Sequence, residues 1–234
     1  MTNASALGLI GTKIVPPTLP GGFLRRARLE DRLDAGAVGP VTVVSAGAGS
    51  GKTLLVASWA ERRRSGGAAA GAAVAWLALD GDDNEPSVFW SGVIAAVRAS
   101  GAVAADNPLD QLAIEQGMTA QGMRTLRHGL ADLPPGVVLV LDDFQVINHP
   151  EILESVAVLL RHESPLRLVL ITRSDPVLPL HRLRVSGGLC EIRSADLAFE
   201  HLADEFFGSM GMPSRPLISI GSSSAPRVGP PACG

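Results

Sequence analysis

The run Ala46-Gly-Ala-Gly-Ser-Gly-Lys-Thr53 brings one ammonium and one hydroxyl to the end of a glycine-rich turn. Its spacing fits the phosphate-cradling pattern G-x-x-x-x-G-K-[ST], with Ala46 where the first glycine would stand. Gly47, Gly49 and Gly51 can turn backbone N–H groups inward around phosphate oxygens, while Ala48 and Ser50 fill the positions between them. Lys52 is placed to reach the terminal phosphates of a nucleotide, and Thr53 to offer a hydroxyl oxygen to Mg2+, a cation that takes hard oxygen ligands. Lysine occurs only at Lys13 and Lys52, so a lysine at this point is not a product of composition. The bland alternative is a glycine turn with a solvated lysine.

A second chemical element is Val137-Val-Leu-Val-Leu-Asp142-Asp143, an apolar run that ends in two carboxylates. Asp142 is expected to hold the magnesium ion through a water molecule. Asp143 stands where a second acid can polarise an attacking water, with shorter reach than a glutamate, so slow hydrolysis is expected. Taken alone, two acids at a strand end could equally cap a helix or face solvent in a turn. Leu166 to Thr172 is a third run, ending in Arg173-Ser-Asp175. Arg173 either senses a terminal phosphate through a bidentate contact or is held locally by Asp175.

These groups must be brought to one place by the elements that carry them. Val41–Ser45 reads as a buried strand, followed by the glycine loop and an apolar helix to Arg64. Ala73–Leu79 is a second strand, and Pro86 opens a helix through Phe89, Trp90, Val93, Ile94 and Val97. Thr119–Leu133 has helical spacing, Pro150 opens another helix, and Leu189–Arg193 is a last strand before a helix over Glu200–Met210. Strands that are apolar throughout and alternate with helices predict a parallel sheet covered on both faces. The fold expected is α/β, a parallel-sheet P-loop NTPase of three layers, α/β/α.

Boundaries are expected at 1–40 for a lead-in segment, 41–211 for the P-loop domain, and 212–234 for a disordered tail rich in Ser, Pro and Gly. Residues 65–72 read as a Gly/Ala linker. Hydrophobic residues make up 46% of the chain, enough for a packed core, while a net charge of −3 with pI near 5.9 gives no basic footprint for direct DNA contact. No apolar run reaches the roughly 20 residues of a membrane span, and the N-terminus lacks a signal-peptide pattern, so a cytoplasmic location is expected. Cys190 and Cys233 suggest neither a disulfide framework nor a zinc site. Arg62-Arg-Arg64 and His181-Arg-Leu-Arg184 read as solvated cations, and Trp59, Trp76, Phe89 and Trp90 as core.

Together with Thr12-Lys-Ile-Val-Pro-Pro17, Phe23-Leu-Arg-Arg-Ala-Arg-Leu29, Trp76-Leu-Ala-Leu-Asp80, Asp83-Asn84, Phe89-Trp90 and Thr172-Arg-Ser-Asp-Pro176, these motifs resemble one family. It is the signal-transducing (STAND) P-loop ATPase domain of MalT-type, LuxR-family bacterial transcriptional regulators, and the resemblance runs from about Thr12 to Gly211. It implies that alanine is tolerated at Ala46, that the nucleotide is ATP, that Arg26 belongs to the segment closing over the adenine, and that Arg173 is the sensor arginine. It further implies a switch in which ATP binding favours an active state that associates with itself or with a regulator partner, and hydrolysis resets it.

Family members continue to a C-terminal helix-turn-helix, which 234 residues do not accommodate, so a product lacking its own DNA-binding domain is expected. The tail departs from the family where an Arg-Thr-Glu-Gly-Trp run would follow. Read one nucleotide later, codons for that run give Ala-Pro-Arg-Val-Gly, the sequence of Ala225 to Gly229, which suggests a frameshift or truncation. A free-standing P-loop ATPase or kinase-like enzyme is the alternative from another class, and a degenerate remnant that binds nothing is a third.

Overall fold

The structure is a computed structural model and describes residues 11–65, 73–112, 119–161 and 164–198. Most of the expected 65–72 linker, the Glu200–Met210 helix and the 212–234 tail lie outside the described residues. Chain contacts separate Met1–Ala198 from Phe199–Gly234.

Five parallel strands form one sheet: β1 (Val41–Ser45), β2 (Val74–Ala78), β3 (Val138–Asp142), β4 (Arg167–Thr172) and β5 (Leu189–Arg193), in the order β2-β3-β4-β1-β5. Register pairs Val43 with Leu170 and with Glu191, and Val140 with Val169. Every residue of β1 and β3 is buried, the condition under which a strand can be apolar at each position rather than every second one.

Alternation along the strands sorts those residues into two cores. Val41, Val43, Leu139, Leu141, Leu168 and Leu170 face one side. There they meet α3 (Pro86–Ala99), α4 (Ala120–Ala131) and α5 (Pro150–Arg161) through Phe89, Trp90, Leu126, Leu130, Ile152 and Val156. Val44, Trp76, Val138, Val140, Val169, Ile171 and Ile192 face the other, where Leu29 and Leu33 of α1 (Ala27–Gly36) join Leu55, Val56 and Trp59 of α2 (Lys52–Ser65). This is a three-layer α/β/α arrangement, and the side chains of Trp59, Trp76, Phe89 and Trp90 are all core, as is Phe144.

Helix starts follow local chemistry. Pro86 opens α3 with Glu85 accepting from the Val88 N–H at 3.0 Å, and Thr119 caps α4 by accepting from the Gly122 N–H at 3.0 Å. Gly129 in α4 has a packing reason, since a Cβ there would lie 2.5 Å from Leu109 Cγ and 2.8 Å from Asn107 Oδ1.

The end of α2 departs from the expected run of solvated cations. Arg62 and Arg63 are not simply solvated: Arg62 pairs with Glu30 at 3.2 Å and Asp31 at 3.0 Å, and also with Asp34, while Arg63 reaches Asp34 at 3.1 Å and lies over the Trp59 ring. Glu30 is 1% exposed and also accepts from Ser58 Oγ at 2.6 Å. The lead-in helix is thereby bound to the helix that follows the glycine loop. The reason is length: guanidinium stems from the last turn of α2 reach across to the acidic face of α1 before they reach bulk water. Arg184 in α6 (His181–Val185) is likewise paired, to Glu191 at 3.0 Å.

Candidate functional site

Parallel pairing puts all five strand carboxyl ends on one edge, and the strand order makes β1, β4 and β3 neighbours there. Ser45, Thr172 and Asp142 are therefore adjacent strand ends, so the glycine loop after β1 opens beside both carboxylates and Arg173. Ala46 continues the sheet by donating its N–H to Thr172 O at 3.3 Å. Its side chain is 3% exposed, and its φ is not among the positive values found in the chain. A glycine is therefore not required at this position. Gly49 (φ 74°) and Gly51 (φ 80°) do need it, because an L side chain is strained in the left-handed region. A Cβ added at Gly47, Gly49 or Gly51 would meet nothing within 4 Å, so the loop faces open space.

Lys52 is the first residue of α2, and its side chain turns back over the loop, donating to Gly47 O at 2.7 Å and Ser50 Oγ at 3.3 Å. Ser50 in turn donates to Gly47 O at 2.9 Å. Burial lowers the Lys52 pKa, and the Arg173 charge lowers it further, against an opposing pull from Asp143 and Asp142. An ammonium that is partly desolvated, held over a loop of amides at a helix start, is poised for an anion.

Thr53 donates its hydroxyl to Asp142 Oδ1 at 3.1 Å, and the Asp143 N–H donates to the same oxygen at 3.0 Å. Asp142 is 6% exposed, which rules out the solvated-turn reading for it. Burial raises its pKa; the Thr53 bond opposes that shift and the neighbouring Asp143 adds to it. A buried carboxylate with too little positive charge around it, beside a hydroxyl, is a donor set suited to a hard divalent cation. Among the described residues no group of three or more His, Cys, Asp or Glu side chains is arranged for a metal, so Thr53 and Asp142 would share such an ion with ligand oxygens and water.

Asp143 is the one non-glycine residue with positive φ (56°) among the described residues, and its side chain makes no helix-capping bond. Its Oδ1 accepts from Gln145 Nε2 at 2.8 Å and lies 3.4 Å from Arg173 Nε. The alternative pairing of Arg173 with Asp175 is not formed. Asp175 pairs with Arg193 at the end of β5, because Arg173 is turned toward the neighbouring strand β3. Arg26, at the start of α1, donates to Leu197 O at 3.0 Å, just past β5. The structure thus gathers Lys52, Thr53, Asp142, Asp143 and Arg173 at the β1–β4–β3 edge, with Arg26 attached at the β5 side.

Three residues at this edge escaped sequence reasoning about chemistry. Gln145 joins Asp143 to Arg173, whose N–H it accepts at 3.0 Å. Lys13 pairs with Asp80 at 2.7 Å and with the buried Asp83 at 2.8 Å, fastening the N-terminal segment beyond β2. Asn84 accepts from the N–H groups of Asn148 and His149, at 2.8 and 2.9 Å, bridging the turns after β2 and β3. Lys13 and Asn84 stand in quoted motifs without an assigned role, while the link from Gln145 to Arg173 depends on β3 lying beside β4.

No protein-family model matches the chain. Curated relatives do: the HTH-type transcriptional regulator MalT of Cronobacter sakazakii is 33% identical over 202 residues, 85% of this chain. Over that stretch the chain is similar to MalT regulators. MalT of Serratia proteamaculans is also 33% identical over the same length, and MalT of Klebsiella pneumoniae 32%. The chain spans 22% of the length of these MalT relatives. Among solved structures, Drosophila ORC bound to AT-rich DNA and Cdc6 is similar with a TM-score of 0.47 at 16% identity, covering 78% of this chain and 30% of that one. AMPPCP-bound DnaA from Aquifex aeolicus gives a TM-score of 0.40 at 16% identity, covering 86% and 56%. No helix among the described residues is long and apolar enough to cross a membrane.

Proposed function

We propose that this domain binds ATP with Mg2+ and serves as the nucleotide-operated switch of a MalT-type bacterial transcriptional regulator. The observation that carries the reading is the junction of Lys52, held over a glycine loop with two left-handed residues, and the Thr53 hydroxyl, bonded to the buried Asp142 carboxylate at the end of β3. In the bound state the amides of residues 46–51 cradle the phosphates, and Lys52 exchanges its Gly47 and Ser50 contacts for phosphate oxygens. Thr53, and Asp142 through a water, would hold a magnesium ion, which would neutralise charge on the terminal phosphates.

Asp143 orients the attacking water, and Arg173 contacts the terminal phosphate. The short, partly exposed Asp143 side chain makes turnover slow, which suits a timer better than a motor. Arg26 lies on the side where the base is received. The loaded state favours association with a second copy or a regulator partner, and a chain of net charge −3 makes no direct DNA contact.

Thermal unfolding with and without Mg-ATP tests this. Ligand at about 100 times its Kd adds about 2.7 kcal/mol of stability. An unchanged midpoint at millimolar Mg-ATP contradicts the reading.

A further inference from the structure

Asp143 and Arg173 sit on the ends of neighbouring strands and carry opposite charges, yet they do not meet by contact alone. The ion pair is 3.4 Å long, and the two side chains are 45% and 57% exposed, a setting in which pairing is weak. A third residue closes the arrangement. Gln145 Nε2 donates to Asp143 Oδ1 at 2.8 Å, and Gln145 Oε1 accepts from the Arg173 N–H at 3.0 Å. The orientation of the amide is fixed by chemistry: a backbone N–H can only donate, so the oxygen must face it, and the NH2 is left for the carboxylate. Asp143 is also held in a left-handed backbone that aspartate enters at some cost.

We infer that Gln145 is a positioning residue that latches Asp143 and Arg173 into a closed, mutually neutralised pair, which a nucleotide's terminal phosphate must open to reach the Arg173 guanidinium. The inference rests on the nucleotide reading above. It names a residue and a job that the phosphate loop does not supply: the latch sets how strongly the site distinguishes a triphosphate from a diphosphate. Only a triphosphate would compete with Asp143 for Arg173, so it alone would bear the cost of opening the latch.

The test is equilibrium binding of ATP and of ADP to the full chain, for the wild type and for Gln145→Ala, Gln145→Leu, Arg173→Ala and Gln145→Ala/Arg173→Ala. Loosening the latch in either Gln145 variant tightens ATP binding by about threefold, the scale of an exposed ion pair, and leaves ADP binding unchanged. In the Arg173→Ala background the same Gln145 change has no effect, because there is no guanidinium left to release. A role limited to holding the turn together would move ATP and ADP alike and persist without Arg173. Equal affinity changes for the two nucleotides, or an unchanged ATP-to-ADP ratio in both Gln145 variants, overturns the latch while leaving the nucleotide site standing. Absence of binding of either nucleotide to the wild type contradicts the nucleotide reading and the latch together.

Discussion

Thr53, the second residue of α2, donates its hydroxyl to Asp142, the last residue of β3, at 3.1 Å across 89 positions of sequence. That bond joins the helix carrying the phosphate lysine to the strand carrying the buried acid. Both ends are oxygen donors for a hard cation, and the hydrogen bond between them keeps the pair together when no ion is present.

Asp142 gives a prediction with a definite sign. Its folded pKa is raised above 3.8 by burial, so its contribution to stability is complete below that value and is lost as pH rises through the folded pKa. The ion-free wild type therefore loses stability on going from acid toward neutral pH, relative to Asp142→Asn, which keeps the shape and an acceptor for Thr53 without the charge. In thermal melts from pH 4 to 8, the variant should match or exceed the ion-free wild type at neutral pH, yet lose most of the magnesium dependence of ATP binding. A variant destabilised equally at every pH would remove the charge argument.

Glu30, itself buried, links the lead-in helix to the phosphate-loop helix through the buried Ser58 and the half-buried Arg62. Glu30→Ala strands the fully buried Ser58 hydroxyl and removes one partner of Arg62. The expected cost is about 2–3 kcal/mol in chemical denaturation. Ser58→Ala in the same background should recover part of it, because the orphaned hydroxyl goes with the substitution. No recovery would mean that the network acts mainly through Arg62.

Glu191 provides an acid-side signature. The Arg184 bond, with help from Arg193, holds its carboxyl at about 2, below the usual 4.5. A depressed folded pKa means stability that is present above 4.5 and lost as pH falls from there toward about 2. Glu191→Gln should flatten the wild-type loss of stability in that window while changing little near pH 7 beyond the loss of the pair itself. Identical acid unfolding profiles would place the acid sensitivity elsewhere.

Much of this was legible in sequence, for a physical reason. Val41–Ser45, Val138–Asp142 and Arg167–Thr172 carry apolar residues side by side rather than alternating with polar ones, because helices cover both faces, and that pattern survives in one dimension. The loop was legible because Gly49 and Gly51 need a backbone that other residues avoid. Gln145 was not, since its partners are set by β3 lying beside β4, and Arg173 is 28 residues away. Lys13 and Asp83 are 70 apart and meet only because the N-terminal segment passes the end of β2. The roles of Arg62 and Arg63 were misread for a related reason: the acidic face of α1 is visible in sequence, but its packing against α2 is not.

The central claim is that the Lys52 ammonium and the amides around it hold a nucleotide's phosphates. Equilibrium binding of labelled ATP, with and without Mg2+, to the wild type and to Lys52→Ala tests it most directly. Loss of one or two charge-assisted hydrogen bonds of about 1.5–3 kcal/mol each should weaken Mg-ATP binding at least about tenfold. Equal affinity in the two proteins would contradict the claim.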